Sequence, residues 1–493
     1  MILLLLIIGS ITYFVVQRSV ANLTRTPVWL LWLVMMIPAF VWASWAVVRV
    51  AEPIPLELLF AAFVGSSILY WTLVQKGRIP PSQSAQAQSA QSEQPASVAN
   101  VRPTPPPRSI DREEEASLQN CFPWSVFYLQ NIEHRPQALI CRGQLRTSPE
   151  VAYQTVRENV EAQFRDRFLV VFQEGLNGKP FFALVPNPYQ QAGAALRKTG
   201  DRPGIALILL FATLLTTTLA GFLIGKTNPQ LPTTFAELLT GLPYAVSLLA
   251  ILGAHELGHF WAARRYRIRA SLPYFIPVPP ASIFPFGTLG AFIQHRSPIP
   301  NRRALFDIGL LGPLAGFLVT VPVLLWGLAQ SSPVPVTEES GLLNAASFKS
   351  SASVLLTVLS RIALGDRMAI DSALNLHPVA IAGCLGLIVT ALNLMPVGQL
   401  DGGHIVHAML GQRSGAVISQ VARLLLIGLA WVQREPLLWV WAILLFLMPV
   451  IDEPVLNDVS ELNNARDLLG ILALGLLLLI ILPAPAPLLR VLF

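Results

Sequence analysis

The sequence predicts a polytopic α-helical membrane protein of about ten spans, with a small α+β soluble domain inserted between the third and fourth. Three observations predict it. Of the 493 residues, 53% are hydrophobic and only 13% charged, against roughly 25% charged in an ordinary soluble chain. The mean hydropathy is +0.57, and the apolar residues collect in runs close to the ~20 needed to cross a bilayer. One long polar interval divides these runs, and the residues beyond it alternate like ordinary strands and helices.

Residues 1–78 form an N-terminal membrane region with spans near 1–17, 28–48 and 56–75. The first run, MILLLLIIGSITYFVVQ, has no basic leader region and no evident cleavage site, so it reads as a retained span. With no Arg- and Ser-rich transit segment ahead of it, the chain reads as bacterial or already mature. Residues 79–112 are rich in Ser, Gln, Ala and Pro. Such a stretch buries no core and is read as a disordered linker.

The soluble domain is read over 113–198. WSVFYLQNI and QALICRGQLRT alternate as paired strands. SPEVAYQTVRENVEAQFRDRF reads as a helix: Ser148 stands as cap, Pro149 in the first turn, and Tyr153, Val156, Val160 and Phe164 share one face. FLVVFQEG and KPFFALVPN read as a hairpin. This ββαββ unit is either a packed cap or a dock for a partner or for a substrate's soluble part.

Residues 199–412 return to membrane patterning, with spans near 204–225, 236–262, 305–328 and 377–397. C-terminal spans occupy 413–493, near 415–432, 437–451 and 468–484. The segment 351–364 is too short to span and is read as interfacial or re-entrant.

The formal charge of +6 does not mark nucleic-acid binding, because the basic residues flank apolar runs. Arg18, Arg25, Lys76, Arg78, Arg197, Lys198, Arg202, Arg264, Arg265, Arg267, Arg269, Arg302 and Arg303 all fall on one side if the spans alternate. The positive-inside rule makes that side cytoplasmic, and the soluble domain with it. The lipid bilayer of a bacterial plasma or thylakoid membrane is thus the first expected partner. Cys121, Cys141 and Cys384 form no CxxC and no disulfide framework.

The chemistry is concentrated in ILGAHELGHFWAARRY, residues 251–266. His255 and His259, four apart on a helix, share a face, so both imidazoles reach one zinc ion. Glu256 lies about 100° round from the first and serves as base toward water at that metal. An ionisable group inside an apolar run costs about 2–3 kcal/mol or more, which argues against an accidental motif. Zinc needs a third protein ligand. Asp401, in NLMPVGQLDGGH, ends an apolar run on the same predicted side as His255 and His259. Pro396 and the Gly402–Gly403 pair are expected to bend the helix and turn Asp401 inward. His404 is the competing ligand, and His407 stands three residues beyond it.

HExxH on one span, with Asn393, Pro396, Leu400, Asp401 and Gly402 in N-x-x-P-x-x-x-L-D-G on another, resembles the site-2 protease family of intramembrane zinc metalloproteases. The resemblance implies His255, His259 and Asp401 as zinc ligands, Glu256 as catalytic acid/base, and Asn393 as a polar group near substrate. It also implies that the region around 286–316 folds as a membrane-inserted β element receiving an extended substrate. GQLR, 143–146, is similar to the Gly-Asn-Leu-Arg motif of the cyanobacterial and plastid "ethylene-dependent gravitropism-deficient and yellow-green" branch, with Gln in second place.

The expected activity is hydrolysis of peptide bonds in or near the transmembrane segments of membrane-anchored proteins. The rival reading is a non-catalytic membrane scaffold or assembly factor with the same fold. A third, a metal or proton transporter, lacks the expected internal repeat. The sequence does not name a substrate or an oligomeric state.

Overall fold

The computed structural model describes Gly9, Thr12, Tyr13 and residues 26–49, 54–76, 112–135, 138–175, 178–187, 202–224, 230–280, 285–337, 344–367, 372–433 and 436–492. Most of the expected span at 1–17, and all of the expected linker up to residue 111, lie outside the described residues. Three helices come first, α1 (Val28–Met35), α2 (Ile37–Val48) and α3 (Leu56–Lys76). Next are α4 (Arg112–Asn120), β1 (Phe127–Arg135), β2 (Ala138–Leu145), α5 (Pro149–Phe164), β3 (Phe168–Glu174) and β4 (Pro180–Pro186). The core then carries α6 (Pro203–Leu223), α7 (Leu242–Arg265), β5 (Tyr274–Pro277), β6 (Thr288–Phe292) and α8 (Arg302–Ala329). It continues through β7 (Ser332–Pro335), α9 (Val354–Leu364), β8 (Ser372–Asn375), α10 (Pro378–Leu394) and α11 (Asp401–Leu410). Toward the C-terminus come α12 (Gln412–Gln433), α13 (Pro436–Leu447) and α14 (Asn464–Ile481).

Among the described residues, α3, α6, α8, α12 and α14 are long and apolar enough to cross a membrane, five helices in all, or six with α1 and α2 as one bent span. The expected single span at 28–48 is broken at Met36, where the axis bends by 43°. Pro38 explains the break, because it has no N–H to give the Val34 carbonyl one turn back. α7 has the length of a span at 24 residues; His255, Glu256, His259, Arg264 and Arg265 reduce its mean hydropathy. α10 has 17 residues and α13 has 12.

The chain divides into two compact units, Met1–Thr104 with Ile427–Leu447, and Pro105–Leu426 with Met448–Phe493. In the first, Leu31 of α1 is buried among Tyr70, Leu73 and Val74 of α3. Phe60 and Phe63 of α3 meet Trp439 and Phe446 of α13 with ring centroids 5.3 and 6.1 Å apart.

The second unit includes an antiparallel sheet of order β1-β2-β4-β3. Alternate residues of β3 (Phe168, Val170 and Phe172) point into the core, the period-2 signature of a half-buried strand. Tyr153, Val156 and Val160 of α5 fill the same core, and the Phe172 and Phe182 rings stack at 4.1 Å. Ser148 occupies the α5 N-cap position but its hydroxyl makes no capping bond. α4 is an addition to the expected ββαββ unit. It puts a single buried residue, Leu118, into the core from a polar segment, too little to read as a stripe. Cys121 and Cys141 are buried free thiols in this core.

Gly143 of GQLR lies against the Tyr128 carbonyl, where β1 slips register between Leu129 and Asn131. A Cβ there would collide with backbone, so the motif's glycine serves a close strand approach. Arg146 sits over Trp124 and Tyr128, 5.8 and 5.2 Å from the ring centroids. Gln144, the departure from the motif, is exposed.

In the membrane core, α8 packs against α7, α10 and α11, and α7 packs against α10. β5 and β6 form an antiparallel hairpin against α6. The resemblance-based expectation of a β element over 286–316 is met only by 288–292; the chain is helical from Arg302, capped by Asn301. A further stretch meets β3 at Phe172. Phe172 N–H donates to Leu456 O (2.7 Å) and Asp458 N–H to Phe172 O (2.9 Å). On its other side this stretch donates from Leu456 N–H to Ile299 O and from Asn457 N–H to Pro300 O, both 3.0 Å.

Candidate metal centre

α7 is mostly apolar before His255, and its acidic, basic and imidazole groups occupy the last three turns. The 3.6-residue repeat puts His255 and His259 on one face, toward α8. α10 stops at Leu394, and α11 starts at Asp401. Pro396 lies in the turn between them, as expected. Gly402 and Gly403 do not break the helix. They lie in its first turn, pressed against the backbone carbonyls of Leu394 and Gly398.

The structure brings His255, His259 and Asp401 together although they come from two helices far apart in sequence. The Asp401 Oδ2 lies 3.5 Å from His255 Nε2 and 3.3 Å from His259 Nε2. The two Nε2 atoms are 3.1 Å apart. Four-coordinate zinc with bonds of about 2.0–2.1 Å spaces its donors roughly 3.3–3.4 Å from one another. The triangle therefore fits a tetrahedral zinc with one position left over, and its two-nitrogen, one-oxygen donor set suits that ion. Among the described residues, no other group of His, Cys, Asp and Glu gathers in this way.

The surroundings orient these donors. His259 Nδ1 lies 2.9 Å from the Ile308 carbonyl of α8. With Nδ1–H donating there, Nε2 keeps its lone pair for a metal. The Asn393 amide nitrogen is 3.3 Å from His255 Nε2, so Asn393 does stand at the cluster. Glu256 is buried beside the triangle and faces the Ile293 main-chain N–H, one residue past β6.

Four of the remaining five histidines have side-chain partners outside the triangle. His404, the competing ligand, pairs with Asp452 at 2.9 Å, and His407 pairs with Asp452 and Asp458. His377 accepts from Val379 N–H at the start of α10, and His134 lies 3.5 Å from Glu115; His295 pairs with Ala270 through its main chain, and its ring lies within electrostatic reach of His259 and Asp401. Sequence reasoning missed the Ile308 carbonyl, the Ile293 N–H and the two carboxylates around His407. The first two are backbone groups, which no residue type announces.

Residues 243–432 match the model of Peptidase family M50. The chain is 30% identical over 410 residues to "Probable zinc metalloprotease EGY1, chloroplastic" of Arabidopsis thaliana, covering 76% of this chain and 72% of that protein.

The chain belongs to peptidase family M50.

This is the site-2 protease family of zinc metalloproteases. A second M50 relative, "Probable zinc metalloprotease EGY2, chloroplastic" of Oryza sativa subsp. indica, is 28% identical over 379 residues, 74% of this chain and 65% of its own length. An M50 relative named "Probable zinc metalloprotease EGY3, chloroplastic", of the same subspecies, is 24% identical over 383 residues. The chain thus spans about two thirds to three quarters of the first two. No solved structure matches this M50 chain. As a member of the family it is a protease, and zinc is the metal its donors suit.

Proposed function

We propose that this M50 protein is an intramembrane zinc endopeptidase that cuts membrane-anchored proteins in or near their transmembrane segments. The observation that carries the reading is the His255–His259–Asp401 triangle, spaced for one zinc ion, with buried Glu256 next to His255 on the same helix. In this reading His255, His259 and Asp401 hold zinc, Glu256 is the acid/base, and Asn393 is a substrate contact.

Zinc, when bound, supplies a Lewis acid that polarises a carbonyl and acidifies water. The chain's own groups do the rest. Glu256 takes a proton from the attacking water and returns it to the departing amine. Asn393 offers amide N–H groups at the edge of the site, where charge develops on the carbonyl oxygen. Leu289 and Phe292 of β6 are exposed, and a hairpin edge can receive an extended segment by main-chain pairing. That pairing replaces the hydrogen bonds a substrate helix loses when it unwinds. The apolar spans support a bilayer setting for this chemistry, and the basic flanks of α7 and α8 support a soluble domain on the cytoplasmic side.

The test uses the purified full chain with a membrane-anchored substrate in detergent or bilayers. Glu256→Gln is expected to retain zinc and to lose cleavage by about 10²–10⁴-fold, the usual worth of a general base. Undiminished proteolysis by that variant would overturn the proposal and favour a scaffold with contaminating activity.

A further inference from the structure

The helix that begins with Asp401 is held from its other side by a buried ionic cluster. His407 is 1% exposed. Its Nδ1 lies 2.8 Å from Asp452 Oδ2 and its Nε2 lies 3.0 Å from Asp458 Oδ1. His404 Nδ1 is 2.9 Å from the same Asp452 oxygen, and Gln412 donates to the Asp452 carbonyl at 2.9 Å. Arg302, the first residue of α8, lies 3.9 Å from Asp458 and donates from Nε to the Ala408 carbonyl at 2.8 Å. Buried charges persist only when paired, and here each has a partner.

Asp458 belongs to the stretch that lies along β3, and Asp452 stands six residues before it. The backbone of that stretch is tied to Phe172 on one side and to Ile299 and Pro300 on the other. Asp458 is therefore anchored from two directions before its side chain reaches His407.

α11 is only 10 residues long. A turn of one residue's worth about its axis, about 100°, would swing Asp401 away from both imidazoles. On the α8 side Gly309 meets the Asp401 carbonyl and the His404 Cβ beside the first turn, while Arg302 holds the Ala408 carbonyl near the last. His407 lies six residues on, about 120° round the helix from Asp401, where a clamp can set that rotation.

We propose that His407, gripped by Asp452 and Asp458, is a positioning residue that sets the rotation of α11 and so keeps the Asp401 carboxylate between His255 and His259. The claim rests on Asp401 being a zinc ligand. Groups that hold a ligand in place without touching the metal are worth roughly 10–100-fold in metal affinity.

The experiment is a double-mutant cycle on the full chain in detergent, read as zinc dissociation constant, with the melting temperature of the zinc-free protein beside it. His407→Gln and Asp458→Asn are each made with Asp401 intact and in an Asp401→Ala background. Asp458→Asn keeps the acceptor and the shape, and so serves if His407→Gln does not fold. The expected result is zinc binding about tenfold weaker with Asp401 intact and a change under about twofold in the Asp401→Ala background, while the fall in zinc-free melting temperature caused by the unpaired carboxylates is the same in both backgrounds. Equal losses in both backgrounds would mean a merely structural role and overturn the positioning claim. No loss in either would overturn it as well. Unchanged zinc affinity in Asp401→Ala alone would overturn the ligand assignment itself, and this proposal with it.

Discussion

Gly312 of α8 lies directly against the His259 ring, and a Cβ at Gly312 would take the space of Nε2, the atom that completes the donor triangle. The glycine is thus part of the geometry of the site although it carries no ligand.

Gly312→Ala is accordingly expected to push His259 out of register. Overpacking a tight site costs about 1–3 kcal/mol, so zinc content at limiting metal is expected to fall by about tenfold or more. Metal analysis of the purified variant checks this. Full occupancy and full cleavage would show that α7 and α8 can separate freely here.

The hairpin offers a second handle. Gly290 has φ of +107° and open space around its missing Cβ. Gly290→Val therefore strains backbone without striking a neighbour, at a cost of about 1–3 kcal/mol. KM for a membrane-anchored substrate is expected to rise by about 5–100-fold, with zinc content unchanged. A variant with unaltered KM would remove β6 from substrate recognition.

The β1–β4 sheet separates the two halves of GQLR. Gly143→Ala drives a methyl into the Tyr128 carbonyl, and a lower melting temperature of the domain is expected, by an overpacking cost of about 1–3 kcal/mol. Gln144→Asn, at an exposed position, is expected to melt with the parent protein. Equal melting of all three proteins would refute the close-approach account of the motif.

The thiols of that domain make a chemical prediction. Burial pushes the Cys141 thiol up to about 12, with Cys121 adding to the rise, and burial raises Cys121 as well. A raised pKa leaves little thiolate near neutral pH, for Cys141 roughly one part in ten thousand at pH 8. Neither cysteine is expected to be alkylated by iodoacetamide at pH 8 until the domain is unfolded. Mass spectrometry of native and denatured samples checks this, and rapid native labelling at Cys141 would contradict it.

The donor cluster was legible because its residue types are costly in lipid. His255, Glu256 and His259 interrupt an apolar helix, and Asp401 follows the end of another apolar run at a matching position along the predicted topology. Strand periods in β3 and the α5 stripe were legible for the ordinary reason that they bury one face. What was not legible is what backbone does at a distance. Gly312 and Gly309 look like any helical glycine in a membrane chain, and their meaning lies in which ring or carbonyl approaches them. His404 and His407 read as possible ligands or interfacial groups because Asp452 and Asp458, their actual partners, come some fifty residues later with no motif to link them. The bend at Met36 could have been read from Pro38; the hydrophobic run simply outweighed it.

The stretch at 456–458 that lies along β3 also has a bearing on association. A strand edge left bare is an open template for another chain, and at Phe172 this one is met by the protein's own polypeptide. Among the described residues β1 has no neighbour beyond β2. A visiting strand that joined this sheet would therefore arrive beside Phe127–Arg135, at the opposite margin from the ties to Ile299 and Pro300.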